Sequence, residues 1–389
     1  MRPAAALSLV VAALLPAAVV EVATANGAGA VSCAPISSVL SRTPSTRTLP
    51  GGVSERIYDT GAMPDPEKAV RVVAIRYPSA TTKVRARILT SSSLTTSSTP
   101  GAMIGSKPTV VLAVNGGFFD PARKALPVGP ELLNGVLRKA TASSATVLAV
   151  RSDGTTAFAT AGLSGSATLA GKVYKIVALN HQSLPSGGVA LYSTTWGPQS
   201  RPYGTVDVVV KSGRVSAVRT GTARGKAPAS GETIITASGT VGTALAGLKV
   251  GQTATWSYHP VTSIPNVRSF IGTGGHHVNH GETTSICTTT SEQLRPRTAV
   301  GWTASGDTLV VTFQGRAYRN GVRWGGATTH QVGDYMRQLG AVEAIGLDGG
   351  TSTTMVQRNT SGGSVVRVDR NSTDAQRPVP DSLAIELTP

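Results

Sequence analysis

The sequence predicts an α+β protein: a mixed β-sheet core with few helices and a β-rich insertion or second lobe. Three observations carry this expectation. Short apolar runs of strand length recur along most of the chain, separated by breaks rich in Gly, Pro, Ser and Thr. One segment has clear helical periodicity. The last third runs strand, turn, strand, helix, strand, an order that excludes an all-β solenoid.

The elements follow in chain order. Met1-Arg2 is a short basic start, residues 4–20 are apolar but broken by Pro16, and small-residue cleavage sites follow at Ala23-Thr24-Ala25 or Ala28-Gly29-Ala30. Residues 1–25 therefore read as a signal peptide, and the protein as secreted and extracellular. The run is short for a membrane span of about 20 residues, so no transmembrane segment is expected after cleavage. Attachment of lipid at Cys33 is disfavoured because Ala30-Val31-Ser32 lacks the usual leucine. Residues 26–65, rich in Ser, Thr, Pro and Gly, read as a flexible N-terminal segment ahead of a folded domain over 66–389.

That domain opens on a strand at 68–77 (KAVRVVAIRY), then a polar loop at 91–100 and a buried strand at 108–114 (PTVVLAV). From 146 to 265 the runs TVLAV, VYKIVAL, VDVVVKSGRVSAV and TATWSY mark the insertion lobe, with a hairpin at Lys211-Ser212-Gly213-Arg214. Residues 299–303 and 308–313 read as strands around the turn Ser305-Gly306-Asp307. The helix comes next. Thr328 or Thr329 caps it, Val332, Tyr335, Met336 and Leu339 form its apolar stripe, and Gly340 ends it. A last buried run, 341–347, leads into Asp348-Gly349-Gly350.

Composition narrows the function. The 389 residues are 40% hydrophobic and 14% charged, which excludes a disordered, highly charged chain. Two cysteines without a CxxC exclude a zinc ribbon and a disulfide-dense scaffold. In an oxidising compartment Cys33 and Cys287 are the one pair available for a disulfide. The net charge of +16 favours anionic partners: phosphate-bearing glycans, wall polymers or nucleic acid. It also suits mere solubility and adhesion to an acidic surface. Nucleic acid is disfavoured, because aromatics are 4%, no basic run of five occurs and the cations are scattered.

The chain lacks GxSxG, GxxxxGK[ST], a complete GxGxxG and HExxH, which disfavours serine hydrolases, nucleotide-triphosphate enzymes, dinucleotide enzymes and zincins. Three segments remain. Asn115-Gly116-Gly117-Phe118-Phe119-Asp120 follows a buried strand, where the glycines permit close backbone approach and expose N–H groups. Arg295-Pro296-Arg297-Thr298-Ala299 offers guanidinium forks for phosphate or carboxylate. Leu347-Asp348-Gly349-Gly350-Thr351-Ser352-Thr353-Thr354 offers a carboxylate among hydroxyls. Each alone also reads as an ordinary turn or as surface arginines. His276, His277 and His280 are surrounded by glycines, which argues against a helical metal site and for a turn with one histidine at a cleft rim.

Taken together, the chain resembles the phosphodiester glycosidases. The elements that match, in that family's order, are NGGFF at 115–119, the Gly-Gly turn ending in His-Gly at 274–281, PRTAVG at 296–301, the helix ending at Leu339-Gly340-Ala341, LDGG.STT at 347–354, and Arg377-Pro378-Val379 with Leu383-Ala384-Ile385 as the closing strand. The resemblance covers roughly 67–389. Two departures fall where sugars would bind: Thr351 replaces a third glycine, and His277-Val278-Asn279-His280 replaces an apolar pair and an acid.

The resemblance implies hydrolysis of a sugar–O–phosphate bond on a phosphorylated glycan or wall polymer. A phosphomonoester leaving group, with a second pKa near 6, departs with little protonation and needs charge compensation instead. A basic protein with few acids suits that chemistry better than ordinary glycoside hydrolysis, which uses two carboxylates. The implied roles are Arg297 and Thr298 on phosphate, and Asp348 as base or as stabiliser of an oxocarbenium-like centre. Asn115 with Gly116 and Gly117 would orient the substrate. Gly349, Gly350, Ser352 and Thr353 would form a polar bed, with His277 at the rim and Glu131 as a reserve carboxylate. No cofactor is called for, and bound calcium is left open because its ligands leave little trace in sequence. The competing readings are a non-enzymatic binder of anionic wall polymer and a phosphodiesterase that breaks P–O through paired metals.

Overall fold

The computed structural model describes residues 32–388 apart from 66–67, 80–82, 124, 316, 320–321 and 370–374. The expected signal peptide, residues 1–25, lies outside the described residues. What is described is dominated by β-structure, with three short helices: α1 (Pro100–Gly105), α2 (Gly239–Ala246) and α3 (Thr329–Gln338). The expectation of an α+β protein thus holds only in its coarse form, several sheets with few helices. None of the described helices is long and apolar enough to cross a membrane.

Two antiparallel sheets stack face to face. The first has eight strands, in the order Ser45–Leu49, Val53–Asp59, Arg71–Pro78, Asp307–Phe313, Arg297–Thr303, Ala341–Gly346, His276–Asn279 and Glu282–Thr283. The second has five: Val365–Arg367, Met355–Arg358, Val110–Asn115, Asp381–Leu387 and Val84–Thr90. Strand alternation sorts the apolar side chains into layers. Val73, Ile75, Val300, Val310 and Ile345 face Ile88, Leu112, Val114, Leu383 and Ile385 in the central core. On the outer face of the first sheet, Val72, Ala74, Ala299 and Val311 pack on Val332, Tyr335 and Met336 of α3. On the outer face of the second, Val110, Ala113, Val356 and Ala384 pack on Met103 and Ile104 of α1. The result is four layers: helix, sheet, sheet, helix.

The α3 helix forms as its sequence predicts. Thr328 is the cap, and Gln331 reaches back to the Thr328 N–H to complete a capping box. Gly340 leaves the helix at φ +96°. The six-residue α1 was not expected from the sequence, being too short to show a period.

Residues 26–65 do not form the expected flexible segment where they are described. Ser38–Ser41 is a 3-10 turn, and Ser45–Leu49 and Val53–Asp59 are the first two strands of the eight-stranded sheet. The polar look of Ser45–Leu49 comes from its place at the sheet edge, where most of it faces solvent. Its Leu49 is buried in the central core with Val53, while Arg47 pairs with the buried Glu55 at 2.7 Å.

The β-rich stretch expected at 146–265 belongs to an eleven-stranded sheet that begins at Glu131 and ends at Gly272. Pairing of Lys172–Leu179 with both Val136–Thr141 and Thr156–Leu169 closes six of its strands into a ring around Leu132, Val147, Ile176 and Phe270. The hairpin at 211–214 is present, with Ser212 and Gly213 both at positive φ as a two-residue turn requires.

Candidate active site

Five loops meet at one end of the sandwich, where the chain crosses between the two sheets. The Asp348 N–H donates to the Gly116 carbonyl at 3.0 Å, and the Gly116 N–H donates to the Asp381 carbonyl at 3.0 Å. The Gly350 N–H donates to the Pro296 carbonyl at 2.8 Å, and the Gly274 N–H to the Gly346 carbonyl at 3.0 Å. The three segments singled out from sequence are therefore one place, joined by the 273–275 turn and by 377–381.

The two glycines of the Asn115 turn are dictated by crowding. A Cβ on Gly116 would stand 1.8 Å from Asp381 Oδ1, and one on Gly117 would stand 2.3 Å from the Gly272 carbonyl oxygen. Their N–H groups are not left free for an anion as expected, because Gly117 donates to Asp381 Oδ1 at 2.7 Å. Asn115 is likewise fully buried. Its Oδ1 accepts from the Thr298 hydroxyl at 2.8 Å and the Thr354 N–H at 3.1 Å, and its Nδ2 donates to the Asp348 carbonyl at 2.7 Å. Asn115, Gly116, Gly117 and Thr298 thus form a buried brace that positions the acidic loop. Direct contact with substrate, expected for Asn115 and Thr298, is not available to them in this arrangement.

The groups that reach solvent at this end are few. Asp348 is half-buried, and its Oδ1 accepts the Gly349 N–H at 2.9 Å. Burial pushes the Asp348 carboxyl above the usual carboxylate range, opposed by hydrogen bonds from Ser352 and Gly349 and by the charge of Arg377. Ser352 and Thr353 are buried, so they support the loop from beneath. Gly349 packs against the Arg297 stem, and Gly350 turns the chain at φ +62°.

Arg297 stands on one side of this loop. Its Nε donates to the Ala327 carbonyl and its Nη2 to the Gln293 carbonyl, each at 3.1 Å. Burial and then the neighbouring Arg295 bring it down to about 10, so it stays cationic at neutral pH. His277 sits behind it, with Nδ1 at 3.2 Å from Ser285 Oγ and Nε2 against the Gly346 backbone. Loss of solvent and the Arg297 charge lower His277 to about 4, which keeps it neutral. The other two histidines diverge: His276 pairs with Glu343 at 3.2 Å and packs against the Phe158 ring at a 49° tilt, while His280 is exposed at positive φ. His276 and His277 sit at a register irregularity of the strand His276–Asn279, and His280 lies beyond it in the turn. Among the described residues the metal-ligand types gather elsewhere, at Cys33, Cys287 and His330, where both sulfurs are tied in a disulfide.

Two site residues escaped the sequence reading. Arg377 donates from Nη1 to the Thr351 and Ser352 hydroxyls at 3.1 and 3.0 Å, and its guanidinium lies 4.7 Å over the Phe119 ring. Asp381, almost fully buried, lies beneath Asp348. Burial first, then the charge of Glu131, push Asp381 up to about 8. Glu131 is also raised by burial, against the opposing charges of Arg138 and Lys139. At 1% exposure, Glu131 is a buried partner of Arg138 Nη1 (2.7 Å) and has no access to a substrate. A carboxyl at the head of the strand DSLAIEL was the visible signal for Asp381.

This arrangement has a consequence for pH. Asp381 titrates at its ordinary 3.8 when unfolded and near 8 when folded, so between these values the folded state holds the extra proton. Stability contributed by the neutral carboxyl is full below the unfolded value and is lost as pH rises through the folded one. Asp381→Asn keeps an acceptor for Gly117 and removes the titration. Its melting temperature relative to the unsubstituted protein should climb between about pH 5 and pH 8. A difference that stays flat over that range would mean that Asp381 is ionised throughout.

Fold and site together define a layered β-protein with a carboxylate loop flanked by two arginines. Residues 204–386 match the sequence profile of the phosphodiester glycosidases. Among solved structures, a hypothetical protein from Synechocystis aligns with a TM-score of 0.67 at 20% identity, over 89% of this chain and 64% of that one. This chain thus spans less than two thirds of that protein's length. A Burkholderia pseudomallei K96243 protein described as exported aligns with a TM-score of 0.61 at 18% identity, over 82% of this chain and 74% of that one. The zebrafish N-acetylglucosamine-1-phosphodiester alpha-N-acetylglucosaminidase catalytic domain, auto-inhibited by pro-peptide, aligns at 14% identity over 89% of this chain and 88% of that one, with a TM-score of 0.46. No curated protein sequence matches the chain.

Proposed function

We propose that the protein is an exported hydrolase that cleaves the sugar C–O bond of a glycosyl-1-phosphodiester, releasing free sugar and a phosphomonoester. One observation carries this reading: a half-buried carboxylate, Asp348, stands in the family's acidic loop with a guanidinium on either side. The arginines compensate the charge that develops on the departing phosphate. Arg377 is held at one nitrogen by two hydroxyls, and Arg297 at two nitrogens by carbonyls, so both are pre-organised and keep further N–H groups unbonded among the described residues. Asp348, drawn upward by burial, is the base that activates water or the anion that stabilises the sugar centre. The exposed Phe118 beside the Gly274 turn offers an apolar surface to the sugar. Export is supported by the Cys33–Cys287 disulfide, a bond that persists in oxidising compartments. The substrate class is a phosphate-containing glycan or wall polymer, in keeping with the net charge of +16.

Hydrolysis of an α-N-acetylglucosamine-1-phosphodiester in ¹⁸O-water tests the bond. Label should appear in the released sugar. Label in the phosphate would replace this reading with P–O cleavage.

A further inference from the structure

We propose that the protein carries a second anion site, away from the Asp348 loop, in the cleft where the five-stranded sheet meets the eleven-stranded lobe. Its ligand is a phosphate group of a phosphodiester polymer. The cleft has a volume of about 150 Å³ and is lined by Arg85, Arg87, Arg151, Arg268, Asn134 and Glu386, among others. Four guanidinium groups converge there from two structural units. Arg85 and Arg87 lie two apart on the edge strand Val84–Thr90, hence on one face, and Arg151 and Arg268 come from the lobe.

The arginines are held in place without being used up. Glu386 lies opposite Arg85 in register and accepts from Arg85 Nε at 3.4 Å and from Arg87 Nη1 at 3.3 Å. It is itself fixed by the Thr109 hydroxyl at 3.0 Å. Arg268 donates from Nε to Asn134 Oδ1 at 3.3 Å, and Arg151 from Nη1 to Thr155 Oγ1 at 3.4 Å. Each guanidinium is thus anchored at one nitrogen and keeps further N–H donors unbonded among the described residues. The turn carrying Arg151 is docked under Arg85: the Ala86 N–H donates to the Gly154 carbonyl at 2.9 Å, and a Cβ on Gly154 would stand 2.4 Å from Arg85 Cβ.

The charges do not balance. Four cations meet Glu386 and, at the rim, Asp153, which accepts the Thr155 N–H and hydroxyl. A tetrahedral oxyanion with several acceptors fits forks arriving from two sides, and such charge-assisted bonds are the strong ones. The polymer follows from position. Asp381 at the active-site end and Glu386 at the cleft begin and nearly end the same strand, about 17 Å apart at 3.4 Å per residue. A chain of phosphodiesters held at one end presents further phosphates at that range. The polymer as source rests on the proposed hydrolase function; the anion site itself does not.

The test reads binding, with Asp348→Asn as background so that no turnover intervenes. A labelled glycerol-phosphate hexamer and inorganic phosphate are titrated at low salt against this protein and against it with Arg87→Ala/Arg268→Ala or Arg87→Lys/Arg268→Lys. The hexamer should lose at least about tenfold in affinity with the alanines, and less with the lysines, which keep charge but lose the fork. With Asp348 restored, turnover of a small single-phosphate glycosyl diester should be unchanged by the alanines. Equal hexamer binding by the alanine variant would overturn the site. Inorganic phosphate binding as tightly as the hexamer, and lost with it, would keep the site and overturn the polymer as its source. Absence of small-diester turnover in the unsubstituted protein would count against the hydrolase reading and leave the binding result standing. If the double variant melts early, Arg268→Ala alone, whose side chain bonds only to Asn134 among the described residues, carries the comparison.

Discussion

Asp348→Asn should lower kcat on a glycosyl-1-phosphodiester by about 10²- to 10⁴-fold, the range expected for loss of a positioned acid–base group. The substitution is nearly isosteric. Its amide oxygen still accepts the Gly349 N–H, and the loop is held independently by Asn115 on the Asp348 carbonyl and by the Asp348 N–H on Gly116. Melting temperature should therefore change little, which separates chemistry from folding. The effect belongs on kcat more than KM, because the proposed function assigns the phosphate contacts to Arg297 and Arg377. Steady-state kinetics beside a thermal melt make the measurement. Activity retained within a few-fold would remove Asp348 from the reaction and leave the loop with a binding role.

Removing the Cys33–Cys287 bridge with Cys33→Ser/Cys287→Ser should cost about 2–5 kcal/mol of unfolding free energy. The cysteines are 254 residues apart, so the bridge closes a loop containing most of the fold, and long loops lose the most entropy when closed. In the native state it pins residues 34–41 across α3. The Ala34 N–H donates to Glu292 at 2.9 Å, Gln331 Nε2 to the Pro35 carbonyl at 2.8 Å, and the Ser37 N–H to the Tyr335 hydroxyl at 3.0 Å. Val39 is fully buried against α3 and the sheet. Urea unfolding of both forms under identical conditions gives the difference directly. A loss below about 1 kcal/mol would mean that the unfolded chain is already compact enough for the closure to matter little.

The two predictions differ in how much of their basis was visible in the chain. Asp348 could be found by pattern, as an acid at the end of a buried run followed by two glycines and hydroxyls. The cysteine pair was named by elimination, and its geometry, with Cα atoms 5.3 Å apart, came from the fold. The helix α3 was legible in the chain, its cap to within one residue, because its signals are local: a threonine, a periodic apolar stripe and a terminal glycine. The strands Ser45–Leu49 and Val53–Asp59 were hidden by the opposite circumstance. Ser45–Leu49, an edge strand that shows most of its side chains to water, has the composition of a linker, and the hairpin it forms with Val53–Asp59 joins the sheet only through the pairing of the second strand with Arg71–Pro78.

The sequence by itself determined the residue types at the site, the order of the segments that carry them, the short apolar runs that become strands, and a net charge of +16. The tertiary structure alone decided which polar groups are spent and which are available. Asn115 looks like a ligand in the chain. It is a brace in the fold because its amide meets Thr298, Asp348 and Thr354, 183 to 239 residues away. Arg377 and Asp381 joined the site for the same reason, one above the Asp348 loop and one below it. A side chain's type is local information, whereas its hydrogen-bond partners and its access to water are set by segments distant in sequence, and those two properties decide whether it binds, supports or catalyses.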